Sequence, residues 1–389
     1  MTTSFKSKTA IVGIGASKFY RRGTAPVSEF RLTCDAILAA IADAGLSVDD
    51  IDGLASFSDE RSTPMRIASA LGMPDVAFSN LFWEGLGGGC AGAVANAAAA
   101  VHAGYARYVV VYRGLSQGAA RMGRPPPAEK AALPLSFLSP YAVLAPIQFF
   151  AMRVRRFMHE HGVKQDALAA IALAAYHHAQ LNPAAVMHGR PLTRKAYDES
   201  RWIVEPFHLF DCALESDSAA ALVITTAERA RDLRHPPAYL LGAAQGADFR
   251  QSHMATLHNS PDYGTANFKS VAKRLYASCG IGPKDVSVSQ VYENFSGGAL
   301  MSMVEHGLLD VDEIEQKCTV ENLTWPKGSL PINTSGGCLA ECYTQGLAQV
   351  NEAVRQIRGT SSCQVDNAEI ALVVSGPMVA ATSSLVLHR

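Results

Sequence analysis

An internal duplication constrains the fold of this chain more than any other feature of its 389 residues. The octet Ala44–Ile51 (AGLSVDDI) resembles the octet Cys279–Val286 (CGIGPKDV), which begins 235 positions later. Each octet lies between an amphipathic helical pattern and a strand-like apolar run, so its glycine is expected to end the helix. Because the unit occurs only twice, we predict two related halves and not a solenoid. The halves span 1–235 and 236–389, with an insertion on the first half at about 120–200.

Helical and strand-like patterns alternate in the first half of the chain. Apolar residues at helical spacing predict a helix over Arg31–Gly45, and an alanine-rich helix is expected over Ala91–Ala103. The apolar runs Ile51–Phe57 and Tyr108–Tyr112 predict strands, the second of them buried. Strands that alternate with helices imply parallel pairing in a layered α/β fold.

The second half repeats this order. The glycine-led helix Gly336–Gly359 is the predicted counterpart of Gly87–Gly104, and the strand Ile370–Ser375 is the counterpart of Tyr108–Tyr112. The duplication therefore extends beyond the two octets to a complete α/β unit.

The composition excludes several classes of protein. With 34 Lys and Arg against 35 Asp and Glu, the formal net charge of −1 lacks the basic excess of a nucleic-acid or membrane-surface binder. No apolar run reaches the ~18 residues of a membrane span, and the segment Met1–Phe19 carries no secretory signal. Eight cysteines scattered over this length do not form a disulfide framework, so we expect a cytoplasmic protein with reduced thiols.

Two glycine motifs suggest chemistry that their context does not support. Gly13–Lys18 (GIGASK) begins like a dinucleotide-binding fingerprint, but the third glycine and the following helix are missing. Gly114–Gly118 (GLSQG) matches the G-x-S-x-G nucleophile elbow, but the prolines at 125–127 leave little room for the helix that the elbow requires. We interpret both motifs as glycine-rich turns at strand ends.

Histidines and cysteines occur in pairs that could suggest a metal site. Their spacings do not combine into a four-ligand set, and neighbouring histidines point to different sides of a helix. We therefore expect no metal at the candidate residues, which are His159, His161, His177, His178, Cys338 and Cys342.

The strongest local signals are two polar segments at predicted strand ends and helix starts. Val291–Gly298 (VYENFSGG) follows a strand, and Asn333–Gly346 (NTSGGCLAECYTQG) is a glycine-led helix start. Loops at the carboxyl ends of parallel strands are where α/β proteins form their sites. From these residues alone, Tyr292 and Tyr343 fit a functional site and a hydrophobic core equally well.

Along nearly its whole length the chain resembles the thiolase superfamily, specifically the sterol-carrier-protein-like thiolase branch. The resemblance implies a duplicated fold in layers, α-β-α-β-α. It places the family's nucleophilic cysteine at Gly87, three residues before Cys90. It also places Tyr343 at the position of the catalytic histidine, and the final Cys-x-Gly motif falls on Val373–Met378, which holds no cysteine. A cysteine-bound acyl intermediate is therefore not expected.

Within this superfamily the chain is similar to the lipid-transfer-protein-type aldolases, which cleave the side-chain acyl-CoA of steroids by retro-aldol chemistry. The resemblance implies that Tyr292 and Tyr343 are catalytic, with Tyr343 as the base, and that Gly376, Glu293 and Asn294 stabilise the oxyanion or enolate. An ordinary tyrosine pKa of about 10 suits proton exchange with an alcohol. No cofactor is expected beyond the CoA thioester substrate, because the reaction needs no covalent enzyme intermediate.

The same resemblance implies partners. These aldolases require a small OB-fold protein with a zinc ribbon, often fused to a hydratase-like domain, and thiolases dimerise through the sheet edge. A homodimer carrying two partner chains, α2β2, is therefore expected. Two alternatives stay open: a thiolase-type acyltransferase that uses the displaced Cys90, Cys338 or Cys342, and a non-catalytic lipid or acyl-CoA carrier.

Overall fold

The computed structural model of the chain describes residues 6–82, 85–120, 135–252 and 261–389. The strands in these ranges are β1 (Thr9–Ala16), β2 (Tyr20–Arg21), β3 (Gly53–Phe57), β4 (Phe78–Phe82), β5 (Val109–Ser116), β6 (Trp202–Val204), β7 (Phe207–His208), β8 (Ser216–Thr226), β9 (Ala238–Gly246), β10 (Val288–Val291), β11 (Ile370–Val374) and β12 (Thr382–His388). The α-helices are α1 (Glu29–Asp43), α2 (Pro64–Leu71), α3 (Cys90–His102), α4 (Pro146–His161), α5 (Gln165–Leu181), α6 (Arg194–Asp198), α7 (Ala227–Ala230), α8 (Lys269–Cys279), α9 (Ser296–Glu305), α10 (Ile314–Lys317), α11 (Val320–Leu323) and α12 (Leu347–Arg358).

One mixed sheet runs through both halves of the chain. Its strand order is β4-β3-β5-β8-β1-β9-β12-β11-β10, with β2 beside β8, while β6 and β7 form a separate pair. The two halves meet where β1 pairs antiparallel with β9, with Ile11 opposite Ala238. The parallel pairs are β3–β4, β3–β5 and β10–β11. The site described below lies at the ends of parallel strands on both sides of the junction.

The strand pairing confirms the predicted duplication. The path β1-β8-β5-β3 has the same sequence of antiparallel and parallel pairs as β9-β12-β11-β10. Both octet glycines end a helix in the left-handed region, Gly45 at φ +74° and Gly280 at φ +69°. Single 3-10 turns follow at Val48–Asp50 and Pro283–Asp285. As a domain boundary, the division near residue 235 stays a prediction.

Three hydrophobic cores show the layers of the fold. One core packs α1 on the outer face of the first half, through residues such as Ile37 against Leu54. The central core encloses α3 and α12 between the two halves of the sheet. The third core packs α5, α8 and α9 on the second half, through residues such as Ile171 and Leu300. Helix and sheet layers therefore alternate as α-β-α-β-α, which is the predicted fold class.

Gly13, Gly15 and Gly114 lie inside strands, so their interpretation as strand-end turn residues is wrong. Gly118 does lie in a turn, which follows β5. A Cβ atom on Gly13 would lie 2.2 Å from the carbonyl oxygen of Ala40, because α1 packs directly against β1. A Cβ atom on Gly114 would lie 2.0 Å from Oγ1 of Thr33 for the same reason. Ser116, the motif's candidate nucleophile, is buried and donates to Oδ1 of Asp217 at 3.0 Å. Close approach of helix and strand explains these glycines, and neither motif is a site. The prolines at 125–127 lie outside the described residues.

The predicted helix Gly336–Gly359 is also wrong in one respect, because it is interrupted. A single π-helical turn covers Gly337–Glu341, and α12 begins only at Leu347. Between them the backbone is extended at Cys342 and takes positive φ values at Gln345 (+49°) and Gly346 (+94°). Tyr343 therefore lies in an irregular segment before the helix and not at its start.

Candidate active site

Two tyrosine side chains meet at the junction of the halves. Tyr292 follows the last residue of β10, and Tyr343 lies in the irregular segment before α12. Their hydroxyl oxygens are 2.8 Å apart, and their ring planes are inclined at 58° with centroids 6.2 Å apart. Tyr292 is 2% exposed, and Tyr343 is half-buried. The structure thus joins by a hydrogen bond the two residues predicted to be catalytic.

Backbone contacts fix both tyrosines. The N–H of Tyr292 donates to the carbonyl oxygen of Val374 at 3.0 Å, which continues the pairing of β10 with β11. The N–H of Tyr343 donates to Oγ of Ser216 at 2.9 Å, and Oγ of Ser218 donates to the carbonyl oxygen of Tyr343 at 3.3 Å. Both serines belong to β8 of the first half. The pair is therefore positioned by strands of both halves.

Glycines make room for the Tyr292 ring. A Cβ atom on Gly87 would lie 2.5 Å from Oη of Tyr292, and one on Gly346 would lie 2.8 Å from its Cδ2 atom. Contacts this short are repulsive, so position 87 accepts no larger side chain while the ring of Tyr292 stays in place. The phenol of Tyr292 occupies the space into which a thiol at position 87 would project.

The three cysteines considered as displaced nucleophiles are buried away from the cavity that the tyrosines line. Cys90 and Cys338 are each 1% exposed and Cys342 is 2% exposed. Burial raises the pKa of all three thiols well above its ordinary value. Since the thiolate is the reactive form, the geometry does not favour the acyltransferase alternative.

A large cavity of about 1360 Å³ opens in front of the tyrosines. Gly87, Asn294 and Gly376 line it together with the two tyrosines. Most of its remaining wall is apolar, formed by Leu86, Ile147, Phe150, Val186, Met187, Ile203, Leu209, Phe210, Phe295, Pro377 and Val379. Arg21 and Arg201 are exposed at its rim. The cavity is large enough for a bulky apolar ligand with a charged end at the solvent.

The backbone of Gly376 lines the cavity, but its N–H is already used. It donates to the carbonyl oxygen of Gly87 at 3.0 Å, which holds the two loops together. A Cβ atom on Gly376 would lie 2.8 Å from the carbonyl carbon of Gly87, so only glycine permits this approach. The expectation that this N–H is free to stabilise an oxyanion is therefore not met by the structure.

Glu293 is not brought to the cavity either. Its side chain is fully buried, and Oε2 accepts from Nε2 of Gln349 at 2.8 Å. Its carboxyl group fills the space where a side chain on Gly337 would lie, directly below the π-helical turn. Burial raises the pKa of Glu293 to about 8, against the opposing effect of hydrogen bonds from Gln349 and nearby backbone. The carboxyl group supports the segment that leads to Tyr343 and does not face a ligand.

Three carboxamides line the cavity, and two of them, Asn294 and Gln345, closely follow the tyrosines in sequence. Oδ1 of Asn294 accepts from the N–H of Phe295 at 2.8 Å, which leaves its Nδ2 group for the cavity. Oε1 of Gln345 accepts from Nε of Arg113 at 2.7 Å. Sequence reasoning missed Gln345 and Arg113. The available signal was a spacing, because each of these two carboxamides follows a candidate tyrosine by two positions.

The environment of the two tyrosines favours their neutral form. The helices α3 and α12 begin within a few residues of the site, but N–H groups at their first turns already donate to Oγ of Ser375 and Oγ1 of Thr344. Burial raises the pKa of both Tyr292 and Tyr343. For Tyr343 the hydrogen bond from Tyr292 and the charge of Arg113 oppose this rise. Both hydroxyls are therefore protonated at neutral pH, and Tyr343 is the better placed to carry developing charge.

No group of three or more His, Cys, Asp or Glu side chains in the described ranges is arranged to hold a metal ion. One of the candidate histidines, His178, is buried, and its Nε2 accepts from the N–H of Trp325 at 2.9 Å. In the same part of the chain, no helix is long and apolar enough to span a membrane.

The fold and the site together define an enzyme of the thiolase superfamily that lacks the reactive cysteine. A family model described as Thiolase C-terminal domain-like matches residues 250–389. A steroid side-chain-cleaving aldolase of Thermomonospora curvata is 39% identical over 384 residues, which cover 97% of each chain. The 17-hydroxy-3-oxo-4-pregnene-20-carboxyl-CoA lyase of Mycobacterium tuberculosis is 37% identical over 386 residues, covering 98% of this chain and 99% of that one. The solved structure of an Ltp2-ChsH2(DUF35) aldolase superposes with a TM-score of 0.91 at 38% identity, covering 99% and 98% of the two chains.

The chain therefore belongs to the steroid side-chain-cleaving aldolases of the thiolase superfamily. The predicted resemblance and the predicted enzyme class, a carbon–carbon lyase, are confirmed.

Proposed function

We propose that the enzyme cleaves a steroid β-hydroxyacyl-CoA to a ketone and a short acyl-CoA by retro-aldol scission. The observation that carries the proposal is the hydrogen-bonded pair Tyr292–Tyr343, which faces a large, mainly apolar cavity. Cys212 also lines this cavity, but burial raises the pKa of its thiol to about 12, so it is not a ready nucleophile. The name of the mycobacterial relative describes a 17-hydroxy steroid with a 20-carboxyl-CoA group, which is a β-hydroxyacyl thioester. That compound class fits the proposed reaction.

The tyrosine pair supports a proton relay between neutral groups. Tyr343 takes the proton of the substrate hydroxyl while its own proton passes to Tyr292, and Tyr292 delivers a proton to Cα. The electron pair of the substrate's O–H bond becomes the second carbon–oxygen bond of the ketone. The Cα–Cβ pair becomes the enolate of the thioester, which is protonated at Cα. The distance of 2.8 Å between the two hydroxyl oxygens supports direct transfer, and no ionised tyrosine has to persist.

Negative charge develops on the thioester oxygen as the Cα–Cβ bond breaks, and we assign its stabilisation to a fixed donor. The Nδ2 group of Asn294 is placed for this at the cavity, whereas the first N–H groups of α3 already donate to Ser375 and Ser383. A preorganised donor of this kind contributes roughly 3 kcal/mol to a transition state. Since the relay returns both tyrosines to their starting state, the proposed reaction needs no cofactor beyond the CoA thioester.

The residues that line the cavity support a particular orientation of the steroid and CoA parts of the substrate. The apolar wall around Phe150, Phe210 and Phe295 suits a fused-ring nucleus. Arg21 and Arg201 at the exposed rim suit the phosphates of CoA, because guanidinium groups bind phosphate through paired N–H donors. We therefore propose that the nucleotide end of CoA lies at the rim and the steroid against the aromatic wall.

We also propose that the enzyme works as a homodimer with two copies of a small OB-fold and zinc-ribbon partner, alone or fused to a hydratase-like domain. The similar solved structure is an aldolase together with ChsH2(DUF35), which supports a partner of this kind. The isolated chain is expected to be poorly soluble or weakly active, and co-expression with the partner should restore both. Full activity of the purified chain alone would count against this requirement.

A cytoplasmic location is part of the proposal. All eight cysteines are free in the structure, which suits a reducing compartment. Fractionation of cells that express the chain at native levels tests this point.

The deciding experiment is a product assay on the co-expressed complex. A 17-hydroxy steroid carrying a 20-carboxyl-CoA group should give stoichiometric ketone and short acyl-CoA, detected by mass spectrometry. Pretreatment of the Cys212→Ser variant with a cysteine alkylator should leave the rate largely unchanged, because this variant lacks the thiol that lines the cavity. An analogue without the β-hydroxyl group should be inert. Release of product only from a β-ketoacyl-CoA and free CoA, with loss on alkylation, would show a thiolase instead, and binding without turnover of either compound would show a carrier.

A further inference from the structure

We propose that Gln345 is a catalytic residue whose Nε2 group donates a hydrogen bond to the substrate oxygen that leaves as the ketone. The inference rests on the proposed retro-aldol function and adds to it a donor for the second reacting oxygen. Four observations carry it: the burial of Gln345, its place in the cavity wall, its fixed orientation and its position beside Tyr343.

The carboxamide nitrogen of Gln345 has only the cavity to face. The residue is 1% exposed and lines the cavity, and its backbone sits in the left-handed region at φ +49°. Its Oε1 atom is engaged by Arg113, and its Nε2 atom has no hydrogen-bond acceptor among the residues that the structure describes. This nitrogen is accessible from the cavity and is not one of the fully buried unpartnered atoms. A ligand that displaces water from it without supplying an acceptor would leave the N–H group unpaired at a cost of roughly 1–3 kcal/mol, so an acceptor atom at this point is favoured.

Arg113 leaves the carboxamide of Gln345 only one orientation. Arg113 is fully buried, and its other nitrogens donate to Glu60 at 3.1 Å and to Asp59 at 2.6 Å. A guanidinium group has only donors, so the atom of Gln345 that faces it must be the carbonyl oxygen. The carboxamide nitrogen is thereby directed away from Arg113 before any substrate binds. Such preorganisation is what makes a donor effective in a transition state.

The alcohol oxygen of the substrate needs a hydrogen-bond donor during the reaction. As its proton moves to Tyr343, this oxygen carries negative charge until the Cα–Cβ bond breaks and the carbonyl group forms. Gln345 is two residues beyond Tyr343 in the same segment, and both residues line the cavity in which that proton is transferred. A hydrogen bond to the oxygen lowers the pKa of the alcohol towards that of a tyrosine. The proton transfer is then closer to matched.

Two variants separate this role from a structural one. Gln345→Glu keeps an oxygen for Arg113 and removes both N–H donors, whereas Gln345→Met removes the donors and the oxygen. If Nε2 acts on the substrate, both variants of the co-expressed complex should lose turnover by about 10²–10³-fold. The inhibition constant of the ketone product should also rise for both, with the affinity for free CoA unchanged. Gln245→Glu, at an exposed glutamine outside the cavity, is the matched control.

The outcomes are distinct. Near-wild-type turnover by Gln345→Glu would overturn the inference, and a loss confined to Gln345→Met would assign Gln345 a structural role as the partner of Arg113. Failure of the wild-type complex to release ketone would overturn the proposed function itself, on which the inference rests. The melting temperature of each variant is measured alongside, because a folding defect would lower it and a lost substrate donor would not.

Discussion

The hydroxyl oxygen of Tyr292 lies 2.8 Å from that of Tyr343, and the two residues are held by different halves of the duplicated fold. Tyr292 extends from β10 of the second half, whereas Ser216 of β8 in the first half accepts the N–H of Tyr343. The proton path therefore exists only where the halves meet. This arrangement leads to the predictions below.

Removal of either hydroxyl should stop the relay without unfolding the enzyme. Tyr292→Phe and Tyr343→Phe keep the rings, so the stability cost is that of one hydrogen bond, about 1 kcal/mol. Turnover should fall by roughly 10²–10⁴-fold in each. The double variant should lose far less than the product of the two single losses, because the groups act as a unit. Tyr105→Phe, at a surface tyrosine, is the control. Normal turnover by both single variants would make Tyr292 and Tyr343 core residues only.

The rate of the chemical step should depend little on pH. Burial raises the pKa of both tyrosines, so they stay protonated from about pH 6 to pH 9. A relay through neutral hydroxyls then gives a nearly flat single-turnover rate over this range. A base that must first ionise would instead give a rate that rises about tenfold per pH unit, and that slope would contradict the relay. The measurement is repeated in Glu293→Gln, in which the carboxyl group that titrates near the site is absent.

A single methyl group at position 87 should disable the enzyme. In Gly87→Ala the new Cβ atom would lie 2.5 Å from Oη of Tyr292, so the ring has to move. Overpacking of this kind costs about 1–3 kcal/mol of stability, and a displacement of ~1 Å costs about 10²-fold in rate. Gly282→Ala is the matched control, because its Cβ atom would meet only Oδ2 of Asp285 at 3.9 Å. Equal turnover by the two variants would show that Tyr292 does not need its present position.

No covalent acyl-enzyme should form. Glycine stands at position 87, and burial raises the pKa of Cys90, Cys338 and Cys342. Incubation of the complex with acetyl-CoA or a longer acyl-CoA should leave its intact mass unchanged. A stoichiometric acyl adduct on any of the eight cysteines would overturn the aldolase assignment of the site.

The buried Glu293 should make the enzyme less stable as pH rises. Its pKa is about 8 in the fold against an ordinary value of 4.5, so the unfolded chain releases this proton first. The contribution of the protonated Glu293 carboxyl group to the free energy of unfolding is complete below about pH 4.5. It is lost as pH rises to about 8, at roughly 1.4 kcal/mol per pH unit. Glu293→Gln mimics the protonated form, so it should match the wild type near pH 5 and be more stable near pH 8. Denaturant unfolding of the wild type and of Glu293→Gln at the two pH values measures the difference. Equal unfolding free energies of the two proteins at pH 8 would show that Glu293 is charged in the fold, with a pKa that is not raised.

The fold could be predicted from the spacing of apolar residues and from the internal duplication of the sequence. The octets that contain Gly45 and Gly280 mark equivalent helix ends because a left-handed turn there favours glycine wherever the unit recurs. Local sequence patterns gave a wrong prediction where a glycine is required by a contact with residues distant in sequence. Gly13 looks like a turn residue, but it is required because α1 packs on β1 some 30 residues away in sequence.

The site was predictable only in part, for the same reason. Tyr292 and Tyr343 could be singled out by family resemblance, and their meeting follows from the duplicated topology. The bond of Arg113 to Gln345 joins residues 232 positions apart, and no local pattern encodes it. The N–H of Gly376 donates to the carbonyl oxygen of Gly87, which is likewise a tertiary contact. This bond removes a donor that the resemblance led us to expect.

The phenol of Tyr292 and any side chain at position 87 compete for one volume. Converting this lyase into a cysteine-dependent acyltransferase therefore requires at least a cysteine at position 87 and a smaller residue at position 292, made together, besides the family's histidine and final cysteine that this chain lacks. Either change alone is expected to disrupt the tyrosine pair without creating the other activity. A library that seeks the interconversion should therefore vary positions 87 and 292 at once.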